Sequence, residues 1–313
     1  MSDRPLVRTD RPAPGVAVLT VDAPPRNAFT RDVGTAFFAA FEPLEADLDV
    51  RCVVITGTGT AFLAGGDLKL QQSLRTAEDN EAYVAHPESL SAAMLRMEQA
   101  RMPVIAAING DVAGGGLEFA LACDLRLAAP GARFVAAGVN VGLILSWYRL
   151  PRIVGLGRAK QLLLTGAPCD AATAERWGLV TAVHEPDELL PAAVALAERI
   201  ASRAPLSVEN TKACANRAFG LDDDELAALQ RRSSSRCSPP ATTTRPSTPS
   251  STAAPRRSSG ADRGSGTRRP ARAGDRCQRW AGCGDRGRLR GRGRAGAGRR
   301  PQPRAHLPAR GRR

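Results

Sequence analysis

The stretch from Pro103 to Leu125 places the strongest limit on how this chain folds. It begins with the apolar run Val104–Ile108, which is short enough to be one strand buried on both faces of a sheet. Asn109-Gly110 follows as a turn signal, and Gly114-Gly115-Gly116 then stands directly before a helical pattern of apolar residues. The stretch therefore predicts a strand, a turn and a glycine-rich start of a helix, as in an α/β domain.

Two properties of this helix start favour a site where negative charge develops. Glycine has no Cβ, so a ligand can approach the main chain closely. The first N–H groups of a helix have no partner within it, and the helix dipole favours negative charge there. Glu118 lies in the same first turn, and a carboxylate beside such N–H groups suits a reaction that builds an oxyanion while moving a proton. A flexible turn followed by an acid that helix N-termini favour explains this stretch equally well.

A second glycine turn follows the strand predicted at Val50–Thr56 and leads into Ala64-Gly65-Gly66-Asp67. The dinucleotide-binding fingerprint is excluded here because its third glycine would fall at Phe62. A phosphate-binding P-loop is excluded because no Gly-Lys-Ser/Thr follows the glycines. This turn therefore offers a second glycine-lined main-chain N–H.

Apolar periodicity predicts the elements on either side of these turns. A strand is expected at Val16–Val21, and helices are expected around 68–101 and at 186–202 and 205–219. Thr30 is a plausible N-cap for an amphipathic helix. The apolar stripe of that helix is expected in the core and comprises Val33, Phe37, Phe38, Phe41 and Leu44.

Cysteine usage and the N-terminal sequence both indicate a cytoplasmic protein. Cys52, Cys123, Cys169 and Cys214 have no metal-binding spacing, so we expect reduced and mostly buried thiols. The first residues contain no apolar core of a signal peptide, and no apolar run reaches membrane-spanning length.

The chain changes character near residue 231. Residues 231–313 contain 23 arginines, no lysine and 3 acidic residues, a net charge of +20, whereas residues 1–230 carry 21 basic and 28 acidic residues, a net charge of −7. This arginine-, proline- and glycine-rich tail has too few apolar residues for a core, so we expect it to be disordered. Nonspecific nucleic-acid binding is one use for such a tail. The absence of lysine instead favours a frameshift in a GC-rich gene, which sequencing the locus would test and which would leave the C-terminal helices incomplete.

Several motifs in the same order resemble the crotonase (enoyl-CoA hydratase/isomerase) superfamily across about residues 5–230. The likeness rests on the following segments: Phe62-Leu63-Ala64-Gly65-Gly66-Asp67, Pro103-Val104-Ile105-Ala106-Ala107-Ile108-Asn109-Gly110, Gly114-Gly115-Gly116-Leu117-Glu118, Ala122-Cys123-Asp124-Leu125-Arg126, Leu163-Leu164-Thr165-Gly166, and Ala174-Glu175-Arg176-Trp177-Gly178-Leu179-Val180. The resemblance implies an α/β fold, a crotonase-like ββα spiral core followed by a C-terminal helical region. It also implies an acyl-CoA thioester substrate, no separate cofactor because coenzyme A is part of that substrate, no metal, and a homotrimer or hexamer.

The same resemblance assigns roles residue by residue. The N–H groups of Gly66 and Gly115 would form the oxyanion hole for a thioester enolate, and Glu118 would be the catalytic acid and base. Arg26-Asn27-Ala28 would border the coenzyme A channel, although an ordinary proline-rich turn explains that segment without the resemblance. The positions expected to bind substrate are Arg26, Ala28, Ala64, Asp67, Leu68 and Gly138.

The chain departs from the family pattern at the second hydratase glutamate. That residue should follow Phe134 by four positions, where this chain has Gly138. The usual Pro-Gly-x-Gly-Gly stretch is replaced, with a short deletion, by Leu145–Pro151. Within it, Trp147 and Tyr148 either narrow the acyl pocket or pack the helix that begins there. If the scaffold is intact, a glutamate at position 138 is expected to restore hydration.

Three functions follow from these observations. The first is an enzyme of the enoyl-CoA hydratase/isomerase type. The second is an acyl-CoA-binding homologue with weak or no hydratase activity, since Gly138 removes one of the two carboxylates. The third is nucleic-acid binding through the tail, which removal of the tail would separate from acyl-CoA binding.

Overall fold

The structure of the chain is a computed structural model that describes residues 4–67, 70, 73 and 76–237. The described strands are β1 (Val7–Ala13), β2 (Val16–Val21), β3 (Ala28–Phe29), β4 (Cys52–Gly57), β5 (Ala61–Leu63), β6 (Gly65–Gly66), β7 (Val104–Ile108), β8 (Asp111–Ala113), β9 (Leu125–Ala128), β10 (Arg133–Val135), β11 (Pro168–Asp170) and β12 (Ala182–Val183). The described helices are α1 (Arg31–Ala46), α2 (Ala77–Ala85), α3 (Leu90–Gln99), α4 (Gly115–Ala122), α5 (Arg149–Val154), α6 (Leu156–Thr165), α7 (Ala171–Arg176), α8 (Pro186–Ala201), α9 (Pro205–Arg217) and α10 (Asp223–Cys237).

Two sheets organise the described fold. The larger has the order β1-β2-β4-β7-β9-β12 and is parallel except at the β1–β2 hairpin. The smaller has the order β11-β10-β8-β5 and is parallel except between β10 and β11. The chain passes from β4 to β5, from β7 to β8 and from β9 to β10, and a helix follows each pair. This repeated path is a ββα spiral, so the predicted α/β fold with C-terminal helices is confirmed.

The strands form where the apolar runs predicted them. The limits of β2 and β7 match the predicted runs, and β4 begins two residues later than predicted. The turn between β7 and β8 is tight, because a Cβ on Gly110 would lie 2.2 Å from the carbonyl oxygen of Thr60. Asn109 supports the same turn, since its Oδ1 accepts a hydrogen bond from the N–H of Gly57 at 3.1 Å.

Helix α1 supplies the aromatic core on one side of the larger sheet. Its predicted N-cap is confirmed, since Thr30 Oγ1 accepts a hydrogen bond from the N–H of Val33 at 3.3 Å. Phe37 and Phe41 are fully buried, and Phe37 packs edge-on against Phe119 of α4 with ring centroids 5.6 Å apart. The predicted core stripe therefore fixes the helix that carries Glu118.

The C-terminal helices lie where the sequence predicts them. Helix α8 packs its buried face, which includes Leu189 and Ala193, on the opposite side of the larger sheet. Helix α9 is tied to the core by Lys212, whose buried Nζ lies 2.9 Å from Asp124 Oδ2 and donates to two main-chain carbonyls. Helix α10 crosses the expected boundary at residue 230 and ends at Cys237, whereas residues 238–313 of the predicted tail lie outside the described residues.

Candidate active site

The two glycine turns predicted from the sequence lie side by side. Gly65 and Gly66 form β6, and Gly65 is paired in register with Ala28 of β3. Gly115 is the first residue of α4, and a Cβ on it would lie 3.4 Å from the main-chain nitrogen of Gly66. Gly65 and Gly114 have φ values of +95° and +53°, which L side chains rarely adopt. The two N–H-bearing segments therefore approach each other with no side chain between them.

These turns face a cavity of about 170 Å³. Ala64, Gly66, Gly115 and Glu118 all line it, so four of the predicted site residues meet in one space. Most of the remaining wall is apolar and includes Val84, Leu90, Met94, Val141, Leu143 and Leu145. Among the described residues of this wall, Glu118 is the single carboxylate.

The carboxylate of Glu118 is held by a distant part of the chain. The N–H of Ser146 donates to Glu118 Oε1 at 2.6 Å, and no other described residue donates to Oε2. Burial raises the pKa of Glu118 above its usual value of 4.5, while the Ser146 hydrogen bond and the charge of Arg149 oppose that rise. Ser146 is fully buried at φ +61°, and its Oγ has no partner among the described residues. An unusual serine backbone therefore orients the carboxylate.

A partly buried ion pair lies near Glu118. Nε and Nη2 of Arg149 donate to the two carboxylate oxygens of Glu98 at 2.7 and 3.0 Å, and the guanidinium stacks on the ring of Tyr148 at 4.4 Å. Trp147 is 62% exposed, and neither Trp147 nor Tyr148 belongs to the described wall of the cavity. Neither aromatic residue therefore narrows the described cavity: Tyr148 packs at the start of α5, and Trp147 is mostly exposed.

Arg26 lies outside the cavity wall among the described residues. Its Nη2 donates to Asp111 Oδ2 at 2.9 Å, and Arg133 donates to both oxygens of the same carboxylate at 2.9 and 2.7 Å. The main chain of Arg26 also accepts a hydrogen bond from the N–H of Ala64 at 3.2 Å. Arg26 and Ala28 therefore flank the first glycine turn, and the Arg26 side chain is mostly exposed.

Asp67 follows the first glycine turn directly. Its Oδ1 accepts a hydrogen bond from the N–H of Leu70 at 3.2 Å, and burial together with the negative charge of Asp67 raises the pKa of Tyr83 in α2. The predicted substrate-binding residue Leu68 lies outside the described residues. Asp67 therefore lies close enough to Tyr83 of α2 to influence its charge state.

The resemblance predicts that position 138 lies in the wall of the active site, but Gly138 does not line the described cavity. It is buried in a short 3₁₀ helix, Ala137–Val141, and a Cβ on it would lie 2.6 Å from the carbonyl oxygen of Leu143. Among the described residues, the cavity wall includes Ala137 and Val141 but not Gly138. The missing glutamate cannot be restored here without moving the main chain, because position 138 faces backbone rather than the cavity.

Three residues around the site could not be predicted from the sequence: Ser146, Arg149 and Tyr83. Serine is not a residue that favours a positive φ, so nothing in the sequence marked Ser146 as a special backbone position. Arg149 and Glu98 are 51 residues apart, and the pairing depends on tertiary contact alone. Tyr83 lies in a region where the sequence predicts only helix, and a lone aromatic there carries no recognisable motif.

Cys52, Cys123, Cys169 and Cys214 are free, in agreement with the prediction of reduced thiols. Burial raises the pKa values of Cys52 and Cys123 to about 12, so both thiols stay protonated at neutral pH. The described residues contain no group of three or more side chains placed to hold a metal ion. No helix in the described ranges has the length and apolar character needed to cross a membrane.

The fold and the cavity together define a class, an α/β enzyme of ββα-spiral architecture whose site joins two glycine turns to one buried carboxylate. The sequence profile of the family described as "Enoyl-CoA hydratase/isomerase" matches residues 11–241. The short-chain-enoyl-CoA hydratase of Clostridium acetobutylicum is 35% identical over 227 residues, which cover 71% of this chain and 85% of that protein. The crotonyl-CoA hydratase of Syntrophomonas wolfei is 37% identical over 227 residues, with coverage of 71% and 86%.

Solved structures agree with the sequence comparison. The crystal structure of an enoyl-CoA hydratase from Bacillus anthracis is 30% identical, with a TM-score of 0.68 and coverage of 74% of this chain and 90% of that chain. A probable enoyl-CoA hydratase/isomerase from Mycobacterium abscessus is 36% identical, with a TM-score of 0.67 and the same coverage. The chain belongs to the enoyl-CoA hydratase/isomerase (crotonase) family and is an enzyme that acts on acyl-CoA.

Proposed function

We propose that the chain catalyses proton transfer on an acyl-CoA thioester, with Glu118 as acid and base and the N–H groups of Gly66 and Gly115 as the oxyanion hole. The supporting observation is that these three residues line one cavity and that Glu118 is held through one oxygen only. The other carboxylate oxygen is then available to the substrate. A raised pKa also brings Glu118 closer to the neutral range in which a carboxyl group both accepts and returns a proton.

The chemistry follows from this arrangement. When Glu118 removes a proton next to the thioester, or when water adds to the conjugated double bond, electrons move onto the carbonyl oxygen. The two main-chain N–H groups stabilise that enolate because they are fixed before the charge develops, and one such donor is typically worth ~10²–10³ in rate. Glu118 then returns the proton to carbon, and the enolate collapses to the thioester.

A single carboxylate favours some reactions of the family over others. Moving a double bond needs one group that takes a proton from one carbon and returns it to another. Addition of water by the two-carboxylate route needs a second glutamate, and the described wall contains none besides Glu118. Double-bond isomerisation and related enolate chemistry are therefore the favoured reactions, with weak hydration or acyl-CoA binding without turnover as the alternative.

The cavity also favours a short acyl group. Its volume of about 170 Å³ is below the ~300–1,000 Å³ of pockets that enclose a whole small ligand. The acyl end of the thioester would fill it, leaving coenzyme A outside, next to Arg26, Ala28 and Asp67. An exposed arginine at this position suits the phosphate groups of coenzyme A.

A homo-oligomer, a trimer or hexamer, is the proposed assembly. Ile144 is 84% exposed and Trp147 is 62% exposed on the segment that carries Ser146. Large apolar side chains exposed together are typical of surfaces that bind another protein. Light scattering of the purified protein tests this proposal, and a monomer at all concentrations would contradict it.

The test of function is a direct assay against a panel of acyl-CoA thioesters, beginning with crotonyl-CoA and a β,γ-unsaturated isomer. Glu118→Gln is expected to lower turnover by ~10²–10⁴ and to leave acyl-CoA affinity nearly unchanged, because the amide keeps the shape but cannot transfer a proton. Glu42→Gln, on the exposed face of α1, is the matched control and should behave as wild type. Turnover of Glu118→Gln equal to that of wild type would remove Glu118 from the mechanism.

A further inference from the structure

Tyr83 places a hydroxyl group beside the first glycine turn. A Cβ on Gly66 would lie 3.1 Å from the hydroxyl oxygen of Tyr83, and both residues line the same cavity. Tyr83 belongs to α2, which begins with a reciprocal capping box of Thr76 and Asp79 with hydrogen bonds of 3.0 and 3.1 Å. The hydroxyl therefore lies next to the proposed oxyanion hole.

The proton of this hydroxyl is available for donation. Among the described residues no group accepts a hydrogen bond from the Tyr83 hydroxyl, which lines the cavity. Burial and the nearby Asp67 carboxylate raise the pKa of Tyr83, which keeps the hydroxyl protonated at neutral pH.

We propose that Tyr83 donates a third hydrogen bond to the thioester carbonyl oxygen as the enolate forms. This role rests on the proposed function and adds to the two main-chain donors at Gly66 and Gly115. It requires no proton transfer by Tyr83, since the hydroxyl keeps its proton throughout. A neutral donor at this place stabilises the enolate more than the neutral thioester, so it acts on the rate rather than on substrate binding.

The variant that tests this role is Tyr83→Phe, which removes one oxygen and keeps the ring in the cavity wall. Tyr148→Phe is the matched control, because Tyr148 is the second of the two tyrosines in the chain and lies outside the described cavity wall. We expect Tyr83→Phe to lower kcat by roughly 10- to 100-fold, the effect of one hydrogen bond to a charged group, with KM nearly unchanged. Tyr148→Phe is expected to keep wild-type kcat.

A spectroscopic measurement separates donation to the enolate from a merely structural role. Acetoacetyl-CoA enolises readily, and its enolate absorbs in the near ultraviolet, so the enolate fraction of the bound probe can be followed without turnover. Tyr83→Phe should reduce the ratio of bound enolate to bound ketone by about tenfold or more, and Tyr148→Phe should not. Equal melting temperatures for the two variants and wild type establish that the fold is kept.

The outcomes are distinct. A fall in both kcat and enolate fraction for Tyr83→Phe alone supports the proposal. An unchanged enolate fraction, with wild type polarising the probe, overturns the role of Tyr83 and leaves the proposed function standing. Failure of wild type itself to polarise acetoacetyl-CoA or to turn over any thioester overturns the proposed function and the role of Tyr83 with it.

Discussion

Replacing Gly138 by glutamate should destabilise the protein and should not restore hydration. The Cβ of any residue at position 138 would lie 2.6 Å from the carbonyl oxygen of Leu143 and 3.1 Å from the nitrogen of Leu145. The turn cannot easily open to relieve this contact, because the N–H of Leu143 donates to the carbonyl of Gly138 at 2.8 Å. Both the main-chain clash and the buried carboxylate oppose the substitution.

The expected loss of folding stability is the cost of forcing extra atoms into a packed interior, ~1–3 kcal/mol. A domain of this size loses about 2–4 °C in melting temperature for each kcal/mol of unfolding free energy lost. The melting temperature is therefore expected to fall by about 2–12 °C. Gly138→Ala should show most of this loss, since its Cβ alone meets the carbonyl. Gly131→Glu is the control, because a Cβ on the exposed Gly131 has no neighbour within 4 Å.

Thermal unfolding followed by circular dichroism gives the stability, and loss of the enoyl absorbance of crotonyl-CoA gives the hydration rate. A Gly138→Glu protein that melts at the wild-type temperature and hydrates crotonyl-CoA faster would contradict this prediction. That result would mean that the backbone of Leu143 moves away and that position 138 opens to the cavity.

Two further predictions concern buried charges. Because burial raises the pKa of Glu118 above 4.5, the folded chain binds this proton more tightly than the unfolded chain, and the resulting stability is lost as pH rises through the raised value. The melting temperature of Glu118→Gln should therefore increase relative to wild type between pH about 4 and about 8, and a constant difference would contradict the burial of that carboxyl. Lys212→Met should cost ~3 kcal/mol or more, because Asp124 would lose the cation that lies 2.9 Å away. Lys160→Met, at an exposed position of α6, should unfold like wild type in the same denaturant titration.

Much of the fold could be predicted from local sequence alone. The run Val104–Ile108 forms the predicted strand β7, and Thr30 caps helix α1 as predicted. These features depend on residues a few positions apart, where periodicity and capping chemistry act directly on the backbone. The glycines at 65 and 114 are in the same category, because their positive φ values suit a residue without a Cβ.

The sequence predicts only part of the candidate site. Gly66, Gly115 and Glu118 were named from motifs, and the structure brings all three to one cavity. The position of Gly138 was expected in the cavity wall by resemblance, and the structure instead places Ala137 there. A residue count along the chain does not show which way a short 3₁₀ helix turns its side chains.

The sequence by itself determined three central strands, several of the helices, the two glycine turns and the carboxylate beside them. Only the tertiary structure decided what surrounds that carboxylate, since Ser146 reaches Glu118 across 28 residues and Arg149 reaches Glu98 across 51. Tyr83 meets the first glycine turn only because α2 packs there. The physical reason is that local backbone preferences act within a few residues, whereas burial, charge and hydrogen bonding at the site depend on distances that exist only after the sheets and helices have packed.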